Sequence, residues 1–339
     1  MDQQMAFHEQ RRQQFLDPGY FKQVQQDIDA AILMFSEKPA GSGRDEQEGW
    51  LISKQRIAVN HLEKLLLLYT AGEPVEPLRA QLDEVVSAYE RYGEQLWQYT
   101  GDRNEPVFKF YDLDEYCELM QLVGLCFLLH QRALLPRIAS MQDGGGEANV
   151  GADWLLEEFL SYAPLDRYET ETVSVARPYE ALIDAMSSED NDAALKDIDR
   201  YLKHWYKDLA GIGWHDSHKP DEEGNQGGYY GYWSFEAGAA VILLGIEDDS
   251  SLHKYLYYPK DLVAWCRANK HLEQGAHASG AGLRCPAGEA CPKAGWWHTP
   301  AAKNSRRYFK GGEPMPKIEG NSYGDTYWLW DANQESPKL

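Results

Sequence analysis

Apolar residues recur at helical spacing along most of this chain, and this pattern constrains its fold more than any other feature. Between residues 191 and 209 the large apolar side chains step by three and four positions: Leu195, Ile198, Leu202, Trp205 and Leu209. That spacing lines one side of a helix. No alternating pattern of any length, as a strand would show, occurs before about residue 290. The sequence therefore predicts an all-α protein.

The same spacing predicts several further helices. Helical patterns cover the segments 20–35, 51–69, 78–99, 112–139, 153–162, 178–186, 230–244 and 259–268. Asp112 or Asp114 is a suitable N-cap for the fourth of these, and Asp190 or Asn191 for the helix that runs to Leu209, because their short side chains can accept hydrogen bonds from first-turn amides. We expect these helices to form a multi-helix bundle.

Glycine-rich and aromatic segments suggest how the chain is divided. The segment MQDGGGEAN, which begins at Met141, has the composition of a linker. It predicts an N-terminal helical domain at residues 1–140 and a C-terminal helical domain at 150–271. The tail, 272–339, is rich in Gly, Pro, Trp and Tyr, and its YWLW segment at Tyr327 is a candidate strand. We expect the tail to be a small irregular or β appendage.

The charge of the chain excludes some partners. It carries 54 acidic and 33 basic residues, for a formal net charge of −21. This excess repels nucleic acid phosphates and anionic membrane surfaces, but attracts a basic protein. No segment has the roughly 20 apolar residues that cross a bilayer, and the start lacks the apolar core of a signal peptide. We expect a cytoplasmic protein that binds neither nucleic acid nor membranes directly.

Two groups of residues invite a metal-site interpretation. His215, Asp216 and His218 are potential metal ligands close together in sequence, and Glu236 lies in an apolar helical segment. HDSH matches no recognised metal motif, so we interpret these side chains as hydrogen-bonding groups of a loop. Glu236 could act as a general acid or base, but no catalytic partner is apparent, and a structural pairing is favoured.

The tail holds the second and weaker metal candidate, formed by Cys285, Cys291 and His298. Five residues separate the two cysteines, whereas zinc knuckles usually have two, and no second close pair exists. Free thiols are favoured, with a disulfide after oxidation as the alternative. The sequence thus predicts no cofactor and no catalytic residues.

Motifs in the second half of the chain carry a resemblance to a known family. They are YLKHWY at Tyr201, WHDSHK at Trp214, YYGYWSFEAGAA at Tyr229, LGIEDDSSL at Leu244 and YYPKDL at Tyr257. With RRQQFLDPGYF at Arg11, they resemble the PoNi immunity proteins, partners of the PoNe polymorphic DNase toxins delivered by type VI secretion. In the tail, CPKAGWWHTP at Cys291, SRRYF at Ser305 and DTYWLWD at Asp325 are similar to a terminal module of other type VI immunity proteins.

The resemblance implies an all-α protein, not an enzyme, that neutralises a cognate DNase in the cytoplasm of the toxin-producing cell. An acidic protein can occupy the basic groove with which a nuclease holds DNA. From the loop positions we infer that the acidic surface comprises these residues: Asp216, Asp221, Glu222, Glu223, Glu247, Asp248 and Asp249. Two alternatives stay open, a metal-dependent hydrolase using His215, Asp216, His218 and Glu236, and an adaptor protein without a toxin partner.

Overall fold

The chain divides into two compact units in the computed structural model. One comprises Met1–Leu160 with Arg167–Ala268, and the other Ser161–Asp166 with Asn269–Leu339. The structure describes residues 2–163, 165, 167, 170–220, 222, 227–272, 284–299, 302, 305–318 and 326–330. Among these residues the first unit is helical and the second holds a small sheet, which confirms the prediction of an all-α protein with a β appendage. The predicted domain boundaries at 140, 150 and 271 stay predictions.

The α-helices of the first unit have the following bounds: α1 Asp2–Gln10, α2 Pro18–Glu37, α3 Glu46–Ala71, α4 Val75–Thr100, α5 Leu113–Leu128, α6 Leu135–Asp143, α7 Trp154–Ser161, α8 Glu180–Met186, α9 Asn191–Asp208, α10 Phe235–Leu243 and α11 Lys260–Ala268. Short 3₁₀ turns lie at Arg132–Leu134, Gly145–Glu147 and Ser250–Leu252. Asp112 and Asp190 cap α5 and α9, since their carboxylates accept hydrogen bonds from first-turn amides. Both capping predictions are therefore confirmed.

A pair of long helices and a buried central helix organise the first unit. Helices α3 and α4 each have 26 residues and are joined by a tight turn at Gly72, whose φ of 91° favours glycine. Helix α5 lies in the core and packs against α10. The two helices approach closely at Gly124, where an added Cβ would lie 2.6 Å from the carbonyl carbon of Phe235. This close approach fixes the start of α10, and with it Glu236, in the core.

Two helix predictions need correction. The expected helix at 112–139 ends at Leu128, where the chain turns at His130 with a left-handed φ of 51°, and α6 begins at Leu135, with Pro136 in its first turn, where a missing N–H is tolerated. Helix α10 begins at Phe235 instead of Tyr230. The side chain of Gln13 accepts a hydrogen bond from the amide of Tyr232 (2.9 Å) and donates one to its carbonyl oxygen (2.6 Å). The Gln13 side chain thus binds the N–H and C=O groups of Tyr232 that helical hydrogen bonds would otherwise use.

The second unit is built on a four-stranded antiparallel sheet. Its strands are β1 Arg284–Pro286, β2 Gly295–His298, β3 Arg307–Phe309 and β4 Tyr327–Trp330, in the spatial order β1-β4-β2-β3. The predicted strand at Tyr327–Trp330 is confirmed. A small apolar core fills one side: Cys285, Cys291, Trp297, Phe309, Met315, Trp328 and Trp330. Within the described ranges, no helix is both long and apolar enough to cross a membrane.

Candidate functional site

The loop at 212–219 rests on a platform of aromatic rings beside the C-terminal half of α9. The Trp214 ring stacks on Trp205, with 5.2 Å between ring centroids, and His215 packs on Tyr206 at 4.3 Å. The amide of Gly213 donates a hydrogen bond to the Asp114 carboxylate (2.7 Å), which ties the loop to the start of α5. Because rigid aromatic groups support it and a first-turn carboxylate of α5 anchors it, the loop presents its polar side chains in a fixed arrangement.

Asp216 is the most tightly held carboxylate of this loop. Its backbone has a φ of 62°, and its carboxylate accepts hydrogen bonds from Lys219 Nζ and Tyr206 Oη, both at 2.7 Å. Hydrogen bonding to Lys219, followed by that to Tyr206, lowers the pKa of Asp216 to about 2. The side chain is 40% exposed. Asp216 therefore presents a fixed negative charge at the surface at all physiological pH values.

The two histidines of the loop contact different residues. His218 Nδ1 lies 2.7 Å from Tyr232 Oη, and its ring stacks on Phe15 with centroids 4.2 Å apart. Burial lowers the pKa of His218, so the imidazole is neutral near pH 7. His215 Nδ1 lies 3.8 Å from the Asp216 carboxylate. The pattern is that of side chains that hold a loop together, as the sequence interpretation expected.

Glu236 lies apart from these residues, in a buried network at the start of α10. It is 1% exposed, and its Oε1 accepts hydrogen bonds from Ser234 Oγ (2.6 Å), Tyr201 Oη (2.7 Å) and Trp205 Nε1 (3.1 Å). Burial raises the pKa of Glu236, and these three donors oppose that rise. Three donors on one buried oxygen make it the organising acceptor of this part of the core.

The residues of the hypothetical metal sites do not converge. Among the described residues, no three His, Cys, Asp or Glu side chains lie close enough together to hold a metal ion. In the second unit Cys285 and Cys291 are buried free thiols whose pKa values burial raises, and Cys291 Sγ lies 3.1 Å from the carbonyl oxygen of Lys293. His298 lies on β2, one residue beyond the buried Trp297. Neither candidate metal group is thus assembled in the described part of the chain.

The three carboxylates of the turn at 246–250 lie in two different environments. Glu247 and Asp248 are exposed, whereas Asp249 is only 5% exposed. Asp249 accepts hydrogen bonds from Arg267 (2.7 Å) and Tyr258. Burial acts to raise the pKa of Asp249, but the hydrogen bonds from these two partners outweigh it and lower that pKa. Asp249 thus holds the turn in place through these hydrogen bonds, whereas Glu247 and Asp248 present their negative charges to solvent.

The two acidic loops are the loop at 212–219, with Glu222 just beyond it, and the turn at 246–250. Residues that support them contact the same side of α9. Tyr255 donates its hydroxyl to the carbonyl oxygen of Asp199 (3.1 Å), and Lys254 pairs with the Asp199 carboxylate (2.7 Å). Tyr206, which holds Asp216, follows seven residues later. Seven residues make two helical turns, about 10 Å along the axis, so both anchoring residues lie on one side of the helix. The chain that follows the turn at 246–250 therefore runs along the helix face that supports the loop at 212–219.

Three further residues of the predicted acidic surface lie in the segment 221–223. Glu222 is exposed. Asp221 and Glu223 lie outside the described residues, so their positions stay predictions.

Sequence reasoning missed two partly buried carboxyl side chains, Glu63 on α3 and Glu118 on α5. Tyr89 donates its hydroxyl to Glu118 (2.9 Å), and Glu63 is among the electrostatic neighbours of Glu118. Burial raises the pKa of Glu118 to about 8 and that of Glu63 to about 7. The detectable signal was their position within apolar helical runs, where a carboxylate is costly unless it is paired or protonated.

Comparisons with known proteins identify relatives along most of the chain. The model described as "PoNe immunity protein (PoNi), N-terminal" matches residues 11–140, and that described as "PoNe immunity proteins (PoNi), C-terminal" matches residues 151–262. No match was found among curated proteins. The chain is similar to a solved structure titled "The Crystal Structure of Protein PA2201 from Pseudomonas aeruginosa", with a TM-score of 0.57 and 20% identity over 77% of this chain and 92% of that one. At that identity the likeness shows the fold alone.

Proposed function

This chain belongs to the family of PoNe immunity proteins, and from that membership we propose that it binds and neutralises a cognate PoNe-type DNase toxin without being an enzyme. The observation that carries the proposal is the match of both family models in order, at 11–140 and 151–262. We further propose that the toxin is delivered by type VI secretion and that protection takes place in the cytoplasm, where the toxin would reach DNA.

The proposed contact surface consists of exposed carboxylates on the two acidic loops. Asp216, Glu222, Glu247 and Asp248 are the described members, and Asp221 and Glu223 are proposed as neighbours of Glu222. A nuclease must present positive charge to DNA phosphates, and a negative surface can occupy that site and exclude the substrate. Asp249 is buried in its pairing with Arg267 and is proposed to position the turn.

The geometry of α9 supports treating the two loops as one surface. Tyr206 holds Asp216, and Tyr255, which follows the turn at 246–250, binds Asp199 on the same side of that helix. These two anchor residues lie about 10 Å apart along α9, a separation that one partner can span. Their rigid support also lowers the entropy lost on binding.

The two alternatives lack comparable support. The metal-dependent hydrolase would need His215, Asp216, His218 and Glu236 around one centre, and Glu236 is engaged with Ser234, Tyr201 and Trp205 instead. An adaptor without a toxin partner would leave the family membership without a function.

Co-expression with the adjacent open reading frame, taken as the candidate toxin gene, tests the proposal. Wild-type protein should restore growth and copurify with the nuclease domain. The double variant Glu222→Lys/Glu247→Lys reverses two exposed charges with no hydrogen bond of their own in the structure, and it should protect less well. Its matched control is Glu37→Lys/Glu94→Lys, which changes the net charge equally on α2 and α4 and should protect fully. Failure of the wild type to protect would reject the immunity function, whereas full protection by both variants would reject only the acidic contact surface.

A further inference from the structure

A pocket with basic walls opens at the first turn of α11, within the first unit. It has a volume of about 240 Å³ and is lined by residues from four parts of the chain, among them Arg12, Tyr69, Trp233, Lys254, Lys260 and Asp261. In a chain of net charge −21, three cationic side chains around one pocket are unexpected.

A buried tyrosine that lines this pocket has no acceptor for its hydroxyl proton. Tyr69 is 1% exposed, and the amide of Leu262 faces its Oη as a donor, but no acceptor among the described residues lies within hydrogen-bonding distance of that hydroxyl. The charged groups that act on the hydroxyl are Arg12 and Asp261, both of which line the same pocket, and the amide of Leu262 lies beside it. Burial raises the pKa of Tyr69, so the hydroxyl keeps its proton. A buried donor without an acceptor is costly, and an acceptor entering the pocket would remove that cost.

Arg12 adds a fixed positive charge beside this hydroxyl. Its Nη1 donates hydrogen bonds to the carbonyl oxygens of Tyr69 (2.6 Å) and Glu73 (3.1 Å), and its guanidinium lies over the Tyr69 ring at 4.4 Å. Its Nε makes no hydrogen bond, and the nearest carboxylate is that of Asp261, at 3.6 Å. Arg12 is therefore anchored at one end of its guanidinium and still has a donor available at the other.

The start of α11 and two lysines complete the positive environment. The positive end of the α11 dipole favours anions, while the amides of Lys260 and Val263 already donate to the carbonyl oxygens of Tyr258 and Pro259. Lys254 and Lys260 line the pocket and are exposed, and Lys254 also pairs with the Asp199 carboxylate. Asp261 opposes an anion, but it is 54% exposed and can turn toward solvent.

We propose that this pocket binds a phosphate group, either as inorganic phosphate or as a small phosphate monoester. Arg12 Nε and Tyr69 Oη belong to residues that line the pocket, and a phosphate oxygen can accept a hydrogen bond from each of them. A planar carboxylate has only two oxygens, whereas a phosphate monoester has three free ones and inorganic phosphate has four. The proposal is independent of the toxin, since it concerns a pocket that none of the proposed toxin-contact residues lines.

Thermal unfolding of the full chain tests the proposal. Melting temperatures are measured in inorganic phosphate, glycerol 3-phosphate, acetate and chloride at equal ionic strength and pH. Phosphate should raise the melting temperature above its values in acetate and chloride. A larger rise with glycerol 3-phosphate identifies a monoester as the ligand, and an equal or smaller one identifies free phosphate. No rise with either phosphate compound, or an equal rise with acetate, would overturn the proposal.

Variants at the pocket make the test specific. Tyr69→Phe removes the hydroxyl that lacks an acceptor, so it should not lower the melting temperature in chloride, yet it should weaken phosphate binding by about ten-fold. Asp261→Asn removes the competing carboxylate and should strengthen binding several-fold. Tyr179→Phe, a fully buried tyrosine that does not line the pocket, is the control and should respond to phosphate as the wild type does. An unchanged phosphate response in Tyr69→Phe would contradict the proposed site.

Discussion

The exposed carboxylates of the two acidic loops differ in their pKa values from the partly buried carboxyl groups of Glu63 and Glu118 on α3 and α5. On the loop, hydrogen bonds from Lys219 and Tyr206 lower the pKa of Asp216 to about 2. On the helices, burial raises the pKa of Glu63 to about 7 and that of Glu118 to about 8. The same functional group therefore carries a permanent charge in one region and keeps its proton near neutral pH in the other.

This contrast assigns different tasks to the two regions. Charge that is ionised and exposed acts over a distance and can guide a basic partner, within the limit set by ionic screening. A buried carboxyl group acts only through the hydrogen bonds it makes, as Glu236 does with Tyr201 and Trp205. A formal charge of −21 thus overstates the charge available for steering near pH 7, because some of these groups stay protonated.

The largest effect on stability should come from truncation of Glu236 in the core. Glu236→Ala leaves the donors of Ser234, Tyr201 and Trp205 without their acceptor and opens a cavity, so the free energy of unfolding should fall by about 3 kcal/mol. Glu236→Gln keeps an acceptor oxygen and should cost about 1 kcal/mol or less. Urea unfolding measures both values. Equal losses in the two variants would show that the hydrogen bonds do not organise this part of the core.

A smaller effect per pH unit is expected from the raised pKa values, which also set its sign. Glu63 and Glu118 are protonated in the folded chain up to about pH 7 and 8, whereas a glutamate in the unfolded chain loses its proton near pH 4.3. The folded chain therefore binds more protons between these values, so the free energy of unfolding should fall as pH rises from about 5 to 8, by up to about 1.4 kcal/mol per unit for each of the two groups.

Urea unfolding at pH 5, 6.5 and 8 measures this slope. Glu118→Gln removes one of the titrating groups but keeps an acceptor for Tyr89, so the slope should become shallower. Asp216 gives a pH dependence of the opposite sign. Its pKa is lowered in the folded chain, so its contribution to the free energy of unfolding is lost as pH falls toward about 2. A slope that stays the same in Glu118→Gln would place the pH dependence elsewhere.

The smallest effect on stability is expected on the acidic loops. Glu222→Lys/Glu247→Lys should change the free energy of unfolding by no more than about 0.5 kcal/mol, since both side chains are exposed. Its association with the toxin should slow by about ten-fold at low salt, and the wild-type rate should fall as salt increases. Stopped-flow mixing measures these rates. Glu118→Gln should associate as fast as the wild type, and a similar slowing of that variant would remove the distinction between the two regions.

Much of the fold could be predicted from the sequence, because helical spacing and capping residues act locally. The caps at Asp112 and Asp190 and the buried stripe through Ile198, Leu202 and Trp205 follow from short-range patterns. The delayed start of α10 could not be predicted in this way. It depends on Gln13, more than 200 residues away in sequence, which binds both backbone groups of Tyr232.

The candidate site was less accessible to sequence reasoning. Spacing in a loop gives no information on burial, and so Asp249 could not be distinguished from its exposed neighbours Glu247 and Asp248. The separation of Glu236 from the loop histidines likewise depends on how α10 packs against α5 and α9. Helix periodicity indicates which side of a helix is apolar but not which polar residues meet between helices.

The most direct test is a titration of the purified chain into a purified PoNe-type nuclease domain that is toxic without this chain, with DNA cleavage as the readout. We predict that cleavage falls linearly and is abolished at a fixed, low stoichiometric ratio, because the immunity protein would occupy the DNA-binding groove. Undiminished DNA cleavage at a large excess of this chain would contradict the account.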